Sequence, residues 1–154
     1  MRLPKLFFLS VACGLVLWAA DPVVGTWKLN LAKSKISGAP GVKEWTLVIT
    51  EQQGQFEVVS RSTGSDGSRM SARYTVPVEG GPVKYSEGGP PPGVSQEMKR
   101  VGEGKADFIV MRDGKEVQVE HAVLSPDGQT LTLTTKGATA EGQPYEAVED
   151  LEKQ

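Results

Sequence analysis

From residue 23 onward, apolar and polar positions alternate in runs of seven to ten, and short turns built on Gly, Asp and Pro separate the runs. That period of two is the signature of antiparallel strands with one buried face. It predicts strands near 23–30, 43–51, 55–63, 69–77, 94–101, 105–112, 115–124, 129–136 and 143–151, with a short tenth at 82–86. Only Leu29 to Lys35 has a spacing compatible with a turn or two of helix.

Turn length sets which residues face each other, so the turns predict register. Asp113-Gly114 suits a two-residue turn that pairs Arg112 with Lys115, Val110 with Val117 and Phe108 with Val119. Ser125-Pro126-Asp127-Gly128 suits a three-residue loop that pairs Val123 with Leu131 and His121 with Leu133. Ser65-Asp66-Gly67 sets Phe56, Val58, Ser60 and Ser62 beside Val76, Tyr74, Ala72 and Met70, and Gly102-Glu103-Gly104 pairs Met98 with Phe108 and Arg100 with Ala106. A two-residue turn at Gln53-Gly54 brings Trp45, Leu47 and Ile49 alongside Phe56 and Val58.

Strands linked by tight hairpins, each with one apolar face, must bury those faces together. An all-β, up-and-down barrel of 8–10 antiparallel strands does so and removes the sheet edges. A two-sheet sandwich competes, but it needs crossing connections, and only Ser34–Gly41 and Pro77–Gly93 are long enough. In the second, 10 of 17 residues are Gly or Pro, the composition of a loop or flap.

The first 20 residues differ from the rest. Met1 to Lys5 carries Arg2 and Lys5, Leu6 to Ala20 has no charge, and small Ala19 and Ala20 precede Asp21. This is the shape of a secretory signal peptide over 1–20, followed by one domain over 21–154. It leads us to expect a secreted or periplasmic protein without a stable membrane anchor. Ser10, and the apolar continuation Gly14 to Ala20 after Cys13, argue against Cys13 as a lipidated amino terminus. Cleavage takes two of the 17 basic residues, none of the 19 acidic ones and the only Cys. The mature chain then has a formal charge of −4, no disulfide chemistry and no basic run to meet nucleic acid.

The opening Asp21-Pro22-Val23-Val24-Gly25-Thr26-Trp27-Lys28-Leu29-Asn30 contains Gly25-x-Trp27 on its first strand. It resembles the signature of lipocalins and their calycin-type barrel relatives. Through Lys35, and again over Ser125 to Gly137, the chain looks like a group of small secreted bacterial lipocalin-like proteins. The resemblance implies a barrel closed at one end by Gly25 and Trp27, with a small apolar molecule held inside. The Thr-Asp-Tyr turn of typical lipocalins is missing. Their late Arg that packs on the Trp has no clear match, although Lys153 can substitute.

The expected function is a non-enzymatic binding protein, monomeric, with a small hydrophobic ligand. Phe56, Val58, Tyr74, Met98, Phe108, Val110 and Val119 are the expected lining. Arg100 and His121 fall in one row on the apolar face and are the candidates for a carboxylate head. The alternative sets Arg100 at the barrel mouth or on Trp27, and His121 hydrogen-bonded within the core. Catalytic motifs are absent: there is no Gly-x-Ser-x-Gly, no His-Glu-x-x-His and no phosphate-cradling loop. Glu149-Asp150 reads as a solvated strand end. One His and few other ligands give no basis for a metal, haem or other cofactor. The competing function is a packed barrel that meets a protein or cell-envelope partner through its surface loops.

Overall fold

The computed structural model describes residues 20–37, 41–138 and 142–154. The expected signal peptide up to Ala19, Cys13 within it, and residues 38–40 of the Ser34–Gly41 connection lie outside the described residues.

The chain runs through β1 (Gly25–Leu29), a single 3-10 turn (Leu31–Lys33), β2 (Lys35–Ser37), β3 (Val42–Gln52), β4 (Gln55–Gly64), β5 (Arg69–Pro77), β6 (Gly80–Pro82), β7 (Lys84–Glu87), β8 (Val94–Gly102), β9 (Lys105–Arg112), β10 (Lys115–Leu124), β11 (Thr130–Ala138) and β12 (Pro144–Lys153). The spatial order is β6-β8-β9-β10-β11-β12-β1-β3-β4-β5-β7, every pair antiparallel, with β2 also on β12. The nine principal strands lie where the alternation places them. The helical stretch shrinks to the 3-10 turn, begun by the Asn30 side chain accepting from the Ala32 amide at 3.1 Å. This turn interrupts what would otherwise be one strand, so β1 and β2 both run along β12.

The Pro77–Gly93 segment is not an open flap. Its first half pairs with β8 through Gly81↔Met98, and its second half pairs with β5 through Tyr74↔Tyr85. One segment thus crosses the gap between the two ends of the sheet and makes the barrel near-closed. Glycine is needed there for space: a Cβ on Gly80, at φ +102°, would lie 2.9 Å from the Met98 carbonyl oxygen.

The hairpin registers of β3, β4 and β5 follow from their turns: Gln52↔Gln55 flanks a two-residue turn, and Phe56↔Val76, Val58↔Tyr74 and Ser60↔Ala72 pair across the next. Met98↔Phe108 and Arg100↔Ala106 also hold. β10 does not follow. Its Asp113-Gly114 turn has positive φ at both residues and pairs Arg112 with Lys115, as expected. Val117 is then an extra residue, and the ladder resumes at Gln118↔Val110, Val119↔Ile109 and Glu120↔Phe108. At the other end, Ser125 to Thr130 closes a loop one residue longer than expected, so Leu124 meets Leu131 and Ala122 meets Leu133. A one-residue slip turns every side chain to the other face. Gln118, Glu120, Ala122 and Leu124 therefore line the interior, while Val119 pairs with Ile109 on the outer wall and Val123 is exposed.

Trp27 closes one end. It is fully buried, and its indole N–H donates to the Val23 carbonyl at 2.8 Å. The Lys153 ammonium stands 5.2 Å from the ring and donates to the Pro22 carbonyl at 2.8 Å. Lys153 does pack where the late lipocalin Arg would, holding the amino-terminal segment over the indole by cation–π attraction and a hydrogen bond.

Candidate functional site

A cavity of about 540 Å³ fills the barrel interior. At the Trp27 end it is bounded by Asp21, Val23 and Arg100, and at the far end by Trp45, Met70 and the Gly88–Pro90 turn. Between them, apolar wall comes from Leu47, Ile49, Phe56, Val58, Val76 and Phe108. The volume lies within the usual range for small-molecule sites, and so does the mixture of apolar wall with few polar groups.

Six of the nine expected ligand-facing residues line this cavity: Phe56, Val58, Tyr74, Met98, Arg100 and Phe108. Three do not. Val110 shares the inward side of β9 with Phe108 but falls beyond the lining. Val119 and His121 are turned outward by the Val117 bulge. The imidazole Nδ1 of His121 lies 2.7 Å from Asp107 Oδ1, and its side chain is 53% exposed. The four-strand row drawn through Arg100 and Ala106 therefore continues through Ala122, not His121, to Leu133. Arg100 borders the cavity but already has protein partners. Its guanidinium donates to Asp21 Oδ2 at 2.9 Å and to the Val78 carbonyl at 3.0 Å, which ties the amino-terminal segment and the 77–80 turn across the barrel end. The paired Arg100–His121 head-group site is thus not formed: Arg100 serves as a structural latch and His121 hydrogen-bonds to Asp107 on the outer wall.

What the interior holds instead is acid. Glu120, on β10, and Glu149, on β12, both line the cavity. Glu149 is 4% exposed, so the solvated strand end expected for Glu149-Asp150 is half right. Asp150 faces outward and accepts from the Thr132 hydroxyl at 2.6 Å, while Glu149 points in beside Leu133. Burial first, and then the charge of Glu120, push the Glu149 carboxyl up to about 7. Burial also raises Glu120, partly offset by the Thr135 hydroxyl, which donates to it at 3.3 Å. Among the described residues neither carboxyl forms an ion pair.

Three tyrosines line the same cavity, and each feels the charge of Glu120. Burial and the charge of Glu120 move Tyr74 and Tyr85 above the ordinary phenol value, Tyr74 the further. Burial, then Glu149 and Glu120, raise Tyr145 to about 12. The Tyr74 and Tyr85 ring centroids are 5.1 Å apart, and the Tyr85 hydroxyl donates to Gln96 Oε1 at 2.6 Å. Because Tyr85 belongs to β7, the closing segment supplies part of the polar wall. Among the described residues no three His, Cys, Asp or Glu side chains come together as a metal would require.

Similar folds recur in solved structures. The S-type phycobiliprotein lyase CPES from Guillardia theta superposes with a TM-score of 0.58 at 9% identity, over 87% of this chain and 89% of that one. The zebrafish ileal bile acid-binding protein complexed with cholic acid superposes at 0.50 and 11% identity, over 86% of this chain and 99% of that one. The fold is a lipocalin-like β-barrel. No protein-family model and no curated protein matches the chain by sequence. At these identities the lipocalin-like likeness is one of fold, and the residues inside the barrel must be read for themselves.

Proposed function

We propose that this lipocalin-like barrel is an exported binding protein that holds one small, largely apolar molecule in its interior without transforming it. The observation that carries the reading is the 540 Å³ cavity walled by Leu47, Phe56, Val58, Met98 and Phe108. A barrel acting only through its outer surface has no use for such a space, since interiors are otherwise packed with few voids larger than a water molecule. Export is supported by the charge pattern of residues 1–20 and by a sheet that begins at Gly25, soon after the expected cleavage point.

A saturable one-to-one complex with the uncharged fluorophore N-phenyl-1-naphthylamine is the expected result. Phe108→Trp and Val58→Trp, which fill the cavity, should abolish it while leaving the fold intact by circular dichroism. No binding by the wild-type protein, or undiminished binding by both Trp variants, overturns the reading. Export predicts that protein isolated from its source begins at Asp21 when its mass is measured.

One observation favours a second reading, acid–base chemistry on the bound molecule: Glu149 titrates near neutrality in a cavity, as a general acid or base does. Recovery of a copurifying molecule unchanged after prolonged incubation with fresh protein decides for holding. Its conversion decides for chemistry.

A further inference from the structure

We propose that the molecule held in the cavity carries a protonated amine, which sits between Glu120 and Glu149 against the faces of Tyr74, Tyr85 and Tyr145. The proposal rests on the reading of the cavity as a ligand site and adds the chemical class of its occupant.

Charge placement carries it. The cationic residues of the lining, Arg100 and Lys105, belong to the Trp27 end of the barrel. Arg100 is engaged by Asp21 and Val78, and Lys105 is exposed. Deeper in, the polar lining consists of Glu120, Glu149, Thr135, Gln96, Gln118, the tyrosines and the uncharged Ser60, Ser62 and Ser71, with no cation among them. Glu149 is the decisive group. It is 4% exposed and borders the cavity, and no hydrogen bond or ion pair from the described residues compensates it. A carboxyl held against a largely apolar interior without a protein partner is costly, and a second acid nearby adds to the cost. Protons lower that cost, and both acids are accordingly shifted toward the protonated form.

A ligand cation lowers it further, because it meets two carboxylates at once in a medium of low polarity. Phenol rings add attraction for a positive charge over their faces. A ligand carboxylate would meet the same two acids as repulsion. The apolar wall around Phe56, Val58, Met98 and Phe108 then takes the hydrocarbon part.

Three ligands with one chain and different heads test this: dodecylammonium, dodecanol and dodecanoate, titrated calorimetrically into the full chain at neutral pH. We expect dodecylammonium to bind at least about tenfold more tightly than dodecanol, and dodecanoate most weakly, since hydrogen bonds to charged groups contribute that much discrimination. The preference should vanish in Glu149→Gln and in Glu120→Gln, with dodecanol affinity retained. In the unaltered protein, repeated titration in buffers of different ionisation enthalpy should show proton release with dodecylammonium and none with dodecanol. This readout needs no variant to fold.

Dodecanol binding without an amine preference, or without proton release, overturns the amine and leaves the cavity reading standing. An amine preference that survives both substitutions overturns the assignment to these two acids. Binding of none of the three overturns the cavity reading itself, and the amine with it.

Discussion

The backbone dihedral, more than the neighbouring Lys153, explains why position 25 is a glycine. A Cβ there would lie 2.7 Å from the Lys153 Cε, and the backbone is at φ +147°, where side chains are rarely tolerated. The lysine stem can move aside but the dihedral cannot, so Gly25→Ala should cost about 1–3 kcal/mol of stability. A Lys153→Ala background should not restore it, and urea unfolding of the single and double variants measures both. Trp27 lies beneath this contact and does not border the cavity. Trp27→Ala should therefore lower stability by about 3–5 kcal/mol, read from the same unfolding curves. Any fraction that stays folded should keep its probe affinity. His121→Ala supplies the converse control. Its imidazole is half exposed and meets Asp107 on the outer wall, so probe titration should give an unchanged affinity.

At the scale of the element, β10 decides which chemistry the barrel contains. The sequence makes the bulge hard to see because both faces of the strand carry apolar residues: Val117, Val119 and Val123 on one, Ala122 and Leu124 on the other. The period-two pattern therefore does not select a phase, and the turn at each end has to. The Asp113-Gly114 turn sets Lys115 opposite Arg112, and the longer loop at Ser125–Thr130 sets Leu124 opposite Leu131. These two requirements have opposite parity, so one residue must be left out between them. That conflict was the available signal for Glu120, and one residue too few in the second loop concealed it. Registers β3 to β5 and β8 to β9 were legible because one face there is plainly apolar, as in Phe56, Val58, Tyr74 and Val76. Glu149 escaped for a different reason: an acid beside another acid near a strand end has no local mark of burial. The bulge also dictates its neighbour. A Cβ on Gly137 would lie 2.3 Å from the Val117 carbonyl oxygen and 2.6 Å from the Gln118 Cα, both backbone atoms that cannot move aside cheaply. Gly137→Ala should thus lower stability by about 1–3 kcal/mol. It should also weaken probe binding by disturbing Gln118 and Glu120, a paired loss that thermal unfolding and fluorescence titration check together.

For the whole molecule, the acids inside and the acids outside push stability in opposite directions with pH. Glu149 titrates near 7 in the folded chain against an ordinary value of 4.5. The unfolded chain therefore binds fewer protons than the folded one between those values, and stability falls as pH rises through that window. Below 4.5 the contribution is fully present, and above about 7 the loss is complete. Glu120, also raised, acts in the same sense. A tenfold change in proton affinity is worth about 1.4 kcal/mol, so Glu149 alone accounts for a loss of up to about 3 kcal/mol across the window. Asp66, Asp127 and Glu152 run the other way. Hydrogen bonds from Ser68, from Ser125 and Gln129, and from Lys33 and Asn30 lower their values, so what they contribute is present above the ordinary carboxylate range and lost as pH falls below it. Asp66 and Asp127 are exposed and Glu152 is half-exposed, so their effect is correspondingly small. Chemical unfolding of the ligand-free barrel should therefore show maximal stability near pH 4.5 and a decline toward pH 7. In Glu149→Gln most of that decline should disappear. A wild-type profile flat across this window would show that the carboxyl is reached by water or neutralised by a group other than a proton. With a cation held between Glu120 and Glu149, the decline should disappear without any substitution, because the charged carboxylates then gain a partner that the described residues do not supply.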